Sequence, residues 1–272
     1  MPENHFLDEI KAGRTPIQAW MWNPSVLFTE VVARAGFDSV GLDLQHGAID
    51  FDDLYALMTV LSAHGVTPMV RVPQNDPSWI TRVLDGGAYG VICPDVRTAE
   101  EAEAFVSACK YAPQGERGYG PARPALAARL GGKGAGVTSA GYSTSAENDA
   151  VMAIIQIESP EGLENVEAIM STPGVDGIFP GLVDYSLLAY GEVLDYRDPR
   201  LRDDTKRMTA AAHAVGKPVG LAVMAPDDIP YLIEELGADW LQFGNDLGWM
   251  IAAAQKTISD GAAGIEASTK KS

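Results

Sequence analysis

Only two cysteines occur in the 272 residues, Cys93 in an apolar run and Cys109 inside a helical pattern. So few thiols exclude a disulfide-stapled scaffold and fit a reducing compartment, and neither stands where a nucleophile would be activated. Long apolar stretches are missing too. Nothing approaches the roughly 18 consecutive apolar residues needed to span a membrane, and the opening MPENHFLDEIKAGR has no apolar signal region. The expectation is a cytoplasmic protein. Positive charge is the third scarcity: 20 Lys and Arg face 37 Asp and Glu, a net charge of −17. That field repels nucleic acid and anionic membrane surfaces. It also repels an anionic substrate, so any acid-binding site must hold its own positive field from a metal, an arginine or a helix N-terminus. Lysine is absent from the ends of all eight strand candidates below, which argues against Schiff-base chemistry.

What is present is an alternation. Short apolar runs rich in β-branched residues recur between amphipathic stretches of helical period, the pattern of a parallel sheet covered by helices. The strand candidates are IQAWMW (17–22), SVGLDL (39–44), PMVRV (68–72), GVICPDV (90–96), AIIQIE (153–158), GIFPGL (177–182), PVGLAV (218–223) and WLQFGN (240–245). Before six of them a glycine stands where a helix can end in the left-handed conformation: AGFDSVGLD, HGVTPMVRV, GGAYGVICP, PGVDGIFPG, VGKPVGLAV and LGADWLQFG. Six like joints favour a closed (β/α)8 TIM barrel over the alternative of an open doubly wound sheet. No linker divides the chain, so residues 1–272 read as one domain, with a core of about 16–258 and a flexible tail over about 261–272. Two stretches break the rhythm: 113–150, rich in Gly, Ser and Ala, and 185–200, expected to separate strand six from its helix. The final helix is expected to run from about Leu247 into the 250s.

In such a barrel chemistry sits at the C-terminal ends of the strands. Polar residues expected there are Asp43, Gln45 and His46 after strand two, Arg71 in strand three, Gln156 and Glu158 in strand five, and Asp184 after strand six. Glu158 and Asp184 supply two carboxylates for a hard divalent cation, with the other positions left for water and substrate. Each has an ordinary alternative, Glu158 capping the helix that starts at SPEG and Asp184 capping a turn. His46 is either a proton carrier at the barrel mouth or a satisfied core histidine. Arg71 must find an anion, and a buried ion pair with Asp43 or Glu158 is its plain explanation. His5, His64 and His213 carry no assigned role.

These residues, in the collinear order AGFDSVGLDLQHG, MVRVP, LDGGAYGVICPDV, GERGYGPAR, IIQIESPEGLENVEAI, GVDGIFPGLVDYS and GLAVMAPD, resemble the HpcH/HpaI aldolase/citrate lyase family, the class II pyruvate aldolases. The resemblance implies a lyase that forms or cleaves 4-hydroxy-2-keto acids from pyruvate, or hydroxypyruvate, and an aldehyde, through an enolate stabilised by Mg2+, Mn2+ or Co2+. It implies metal binding by Glu158 and Asp184, a ketone oxygen held by Arg71, acid/base work by His46, and support from Asp43 and from Asp85 of a neighbouring subunit. Gln156 would line the site, the N–H groups around Val183 and Asp184 would hold the carboxylate, and Trp20 and Leu221 would shape the pocket. A hexamer built as a trimer of dimers, exchanging the last helix between subunits, is implied as well. The chain departs from the family pattern at Gln45, Leu182 and Val183, and in the stretch from Tyr185 to Asp198. Two other readings stay open: decarboxylation of an oxaloacetate-type acid at the same enolate site, and a keto-acid-binding barrel without catalysis. If Arg71 is catalytic, Arg71→Ala depresses turnover and leaves the fold largely intact; equal loss of stability marks the ion pair instead.

Overall fold

The computed structural model describes residues 4–121, 123–125 and 142–269. Its strands are β1 Ile17–Met21, β2 Ser39–Asp43, β3 Thr67–Arg71, β4 Gly90–Cys93, β5 Met152–Ile155, β6 Gly177–Ile178, β7 Gly220–Val223 and β8 Trp240–Asn245. They lie in the order β6-β5-β4-β3-β2-β1-β8-β7, all pairings parallel. A single bridge between Ile178 and Val219 brings β6 against the residue preceding β7. Sequential strands are neighbours and β1 pairs with β8, so the sheet curls into a (β/α)8 barrel and the open doubly wound alternative falls away.

The glycine device is realised at all six joints: Gly36, Gly65, Gly87, Gly174, Gly216 and Gly237 have φ between +70° and +101°. An L side chain there would carry left-handed strain, whereas glycine lets each helix end and the chain drop straight into the next strand. The opposite turns are set by caps. Ser25, Asp50, Asp76 and Thr98 each accept a backbone N–H in the first turn of the helices Val26–Arg34, Phe51–Ala63, Pro77–Asp85 and Ala99–Cys109.

Three expectations about connections change. Residues 185–200 do not separate β6 from its helix: a helix over Leu182–Tyr190 follows β6 at once and ends at Gly191, with φ +76°, before the helix Pro199–Ala214. Within 113–150 a helix covers Thr144–Ala150, while 126–141 lies outside the described residues. The final helix is far longer than the 250s, spanning Asp246–Thr269.

Packing occurs in two shells. The larger lies between strands and helices and includes Val40, Leu42, Val70, Val91, Ile155 and Leu221. The smaller fills the barrel axis with Trp20, Met69, Ile92, Met152, Ile154, Phe179 and Trp240. Residues alternate between the shells because successive strand side chains point to opposite faces. The axis is an aromatic column: Trp20 stacks on Phe179 at 5.9 Å and Phe179 on Trp240 at 5.1 Å. Room for Trp240 comes from Gly220, where a Cβ would fall 2.0 Å from its ring. The N-terminal helix His5–Lys11, unforeseen in the sequence, closes the bottom. Phe6 is wholly buried edge-on to Trp240 at 5.4 Å, and Asn4 donates to the carbonyls of Tyr89 and Ala150, just ahead of β4 and β5. Burying a phenylalanine contributes about 1.5–3 kcal/mol. Cys93 and Cys109 are free and buried, and burial pushes both thiols up, Cys109 to about 12.

Candidate active site

The column ends upward at Trp20, and the polar site starts there. Asp43 and Arg71 are register partners on adjacent parallel strands, so their side chains leave the sheet on the same face. They form a buried bidentate pair, Arg71 Nε to Asp43 Oδ1 at 3.0 Å and its terminal nitrogen to Oδ2 at 2.6 Å. The guanidinium also lies 5.1 Å from the centre of the Trp20 ring. Asp43 is saturated: Oδ1 accepts the backbone N–H groups of Gln45 (3.0 Å) and His46 (3.2 Å), and Oδ2 accepts the indole N–H groups of Trp20 (3.2 Å) and Trp22 (2.7 Å). Burial alone would raise the Asp43 carboxyl; the hydrogen bonds and charge of Arg71 outweigh it and hold the group below its ordinary range. The ion pair anticipated for Arg71 is therefore formed, with Asp43 and not Glu158. Asp43 grips the backbone of His46, not its ring, and leaves that exposed side chain at the mouth. Arg71 keeps the remaining donors of its fork for a ligand.

Glu158 follows β5 and is buried. It does not cap the next helix; Ser159 does, accepting the N–H of Gly162 at 3.1 Å. Glu158 Oε1 instead accepts the N–H of Asp95 at 2.8 Å. Asp95 reaches this position with a left-handed backbone, φ +49°, the one such non-glycine among the described residues. Asp tolerates that region better than most residues, and strain of this kind concentrates at functional sites. Burial, and next the charge of Asp184, push the Glu158 carboxyl up to about 7, with Arg71 acting against them. Asp184 itself sits in the exposed first turn of the helix Leu182–Tyr190, whose start at Gly181 has no side-chain cap. The first-turn N–H groups of Val183 and Asp184 thus form an uncapped positive end, suited to an anion.

Gly181 lets these parts meet. A Cβ there would lie 2.4 Å from Glu158 Oε2 and 2.8 Å from Gln156 Nε2, although its φ of −86° suits any residue. Gly181→Ala is expected to displace Glu158, so that a divalent cation held there would bind about tenfold or more weakly, with melting lowered only a few degrees; calorimetric titration with Mn2+ beside a thermal scan checks both. Gln156 is buried, and its Oε1 has no hydrogen-bond partner among the described residues, an acceptor left open beside Glu158. Gln45 Oε1 is likewise unpartnered. Among the described residues no three His, Cys, Asp or Glu side chains gather into a metal cage. Two carboxylates, Glu158 with its proton affinity raised by burial and by the charge of Asp184, and an open amide oxygen alongside nevertheless fit a cation whose other positions belong to ligand and water.

Two residues fall elsewhere. Leu221 does not shape the pocket: it is fully buried in the outer shell, in register with Leu241, and Ala222 one position on packs against the axial cluster. Asp85 ends the helix Pro77–Asp85, which runs back to the N-terminal ends of the strands, so it is not brought to its own chain's site. There it accepts from the buried Arg117 at 3.0 Å, and burial still pushes its carboxyl up. The unforeseen participants are Trp22, Asp95 and Asp246. Trp22 and Asp95 stand at the ends of strand candidates, the single signal that could have raised them.

Residues 18–253 match the HpcH/HpaI aldolase/citrate lyase family. The chain is similar to a hydroxypyruvate/pyruvate aldolase of Rhizorhabdus wittichii, 35% identical over 249 residues that cover 91% of this chain and 94% of the relative. It is 36% identical over 254 residues to a 5-keto-4-deoxy-D-glucarate aldolase of Salmonella paratyphi A, covering 93% and 94% of the two chains. Among solved structures, an HpcH/HpaI aldolase from Desulfitobacterium hafniense superposes with a TM-score of 0.79 at 25% identity, covering 96% of each chain.

Proposed function

The chain belongs to the HpcH/HpaI aldolase/citrate lyase family, and from that premise we propose that it is a class II aldolase joining pyruvate, or hydroxypyruvate, to an aldehyde and cleaving the 4-hydroxy-2-keto acid product. The observation that carries the reading is the seating of Glu158 and Gln156 over Gly181, at the root of the uncapped helix that bears Asp184. A divalent cation such as Mg2+, Mn2+ or Co2+ held by Glu158 and Asp184 would supply Lewis-acid stabilisation of negative charge on the keto acid. The free donors of Arg71 take the ketone oxygen, where charge develops as a C3 proton leaves. Their aim is fixed in advance because Asp43 and the Trp20 ring hold the guanidinium from two sides. The first-turn N–H groups of Val183 and Asp184 bind the substrate carboxylate. His46, presented at the mouth by its backbone bond to Asp43, takes the C3 proton and returns one to the aldehyde oxygen as the new carbon–carbon bond forms. Trp20 forms the floor, and Asp85 serves a neighbouring subunit.

The same reading takes the chain as one barrel domain working in the cytoplasm as a homo-oligomer, a hexamer that exchanges the helix Asp246–Thr269. Exposed Met250, Ile251, Ile258 and Ile265 along that helix support its burial against another copy. No helix of the described residues is long and apolar enough to cross a membrane.

The test is exchange of pyruvate C3 protons with deuterated water, followed by product mass with a panel of aldehydes. We expect exchange with Mn2+ and a new hydroxy-keto acid when an aldehyde is added. Exchange undiminished after thorough chelation would remove the metal from the reaction, and carbon dioxide release from oxaloacetate with no aldol product would mark a decarboxylase.

A further inference from the structure

Asp246 stands where β8 hands over to the last helix, and its carboxylate is completely buried. Among the described residues it forms no ion pair. Its oxygens accept backbone N–H groups instead: Asn23 at 2.7 Å, Trp22 at 3.1 Å and its own neighbour Leu247 at 2.9 Å. Leaving a carboxylate away from water with no cation is costly unless its lone pairs are met, so the segment after β1 is held tightly against the end of β8. Trp22 is pinned on a second side, because its carbonyl accepts the N–H of Ala48 at 2.7 Å and the Gly47 position approaches its Cα to within 3.2 Å of a built Cβ. With its backbone fixed, the half-buried indole has one polar atom to place, and that N–H goes to Asp43 Oδ2 at 2.7 Å, closer than the bond from Trp20.

We infer that Asp246 is a positioning residue for the reaction, clamping the backbone at Trp22 so that the indole locks the Asp43 carboxylate that aims Arg71 and presents His46. Asp246 never meets substrate; it acts through Trp22. This rests on the aldolase reading, because Arg71 and His46 take their roles from it. A purely architectural Asp246, stitching β8 to β1, would affect stability alone and would be indifferent to whether residue 22 carries an indole N–H.

A double-mutant cycle on the full chain separates the two. Trp22→Phe keeps a ring and removes the N–H; Asp246→Ala removes the clamp. With Mn2+ and pyruvate, each single variant is expected to lower kcat for C3 exchange about tenfold, the scale of a lost hydrogen bond to a charged group. The double variant is expected to be no slower than the slower single one. Losses that multiply show independent action and overturn the inference. A second readout needs no turnover: subtracting the emission of Trp22→Phe from that of its parent isolates Trp22. That band is expected to move to longer wavelength in the Asp246→Ala background, and an unmoved band overturns the inference. If the wild-type chain exchanges no protons, the aldolase reading fails while the optical arm still decides the clamp. Should Asp246→Ala not fold, Asp246→Asn keeps one accepting oxygen and is expected to show a smaller loss of the same kind, again non-additive with Trp22→Phe.

Discussion

Arg71→Ala is expected to slow pyruvate C3 exchange by about 10²–10³-fold, the scale of removing one preorganised donor at a developing oxyanion. It is also expected to destabilise the fold by about 3–5 kcal/mol, because the buried Asp43 loses its cation. Sequence reasoning treated these as alternatives, but one guanidinium holds a structural anion with one edge and keeps its other donors for the site. The pH dependence separates the effects. In the wild type the Asp43 carboxyl lies below its ordinary range, so its stabilisation is present above the unfolded value near 4 and fades as pH falls through the lowered folded value. Without Arg71, burial is opposed only by the N–H groups of Trp20, Trp22, Gln45 and His46, and the folded value rises. The stability deficit against wild type should therefore be larger at pH 7 than at pH 4. Urea unfolding at the two pH values measures it, and an equal deficit at both would mean that Asp43 does not depend on Arg71 for its charge. Arg71→Lys keeps the charge but not the fork, and should recover stability better than turnover.

Glu158→Gln is expected to lower Mn2+ affinity by at least about 10²-fold, since even residues one step removed from a metal cost 10–100-fold, and to abolish metal-dependent exchange. The effect on the metal-free fold should run the other way. Burial, and then the charge of Asp184, push the Glu158 carboxyl up to about 7, so ionising it opposes folding as pH climbs from the unfolded range near 4.5 towards 7, and that penalty persists above. A neutral amide of the same shape escapes it. In the presence of chelator the variant should therefore melt higher relative to wild type at pH 8 than at pH 5, the usual trade between a functional charge and stability. A variant equally destabilised at both pH values would show that the carboxylate is serving the fold.

Much of the architecture was legible because it rests on local chemistry. Glycine alone takes the left-handed turn without strain, so Gly36, Gly65, Gly87, Gly174, Gly216 and Gly237 announced six strand starts. Asp43, Arg71, Glu158 and Asp184 were legible because charges in or beside apolar strands need partners. What was missed depends on register or on distant backbone. Leu221 and Ala222 are both apolar, and a shift of one residue exchanges the two faces of a strand. Asp246 bonds backbone groups more than 220 positions away, which no local pattern encodes. Asp95 serves through its N–H, which every residue but proline possesses. The helix Leu182–Tyr190 was hidden because its start at Gly181 lacks the capping side chain that marks other helices. That omission keeps its first N–H groups available to an anion.

The filled axis has a kinetic corollary. With Phe6 and Trp240 stoppering one end and Phe179 and Trp20 occupying the middle, the described residues leave no passage along the axis, and Arg71 is approached from the Trp20 end. On the aldolase reading, a keto acid held at Arg71 and at the N–H groups of Val183 and Asp184 is expected to enter before the aldehyde and to depart after it. Initial-rate kinetics are then expected to show ordered addition, with high concentrations of aldehyde inhibiting by lodging at the threshold ahead of the first substrate.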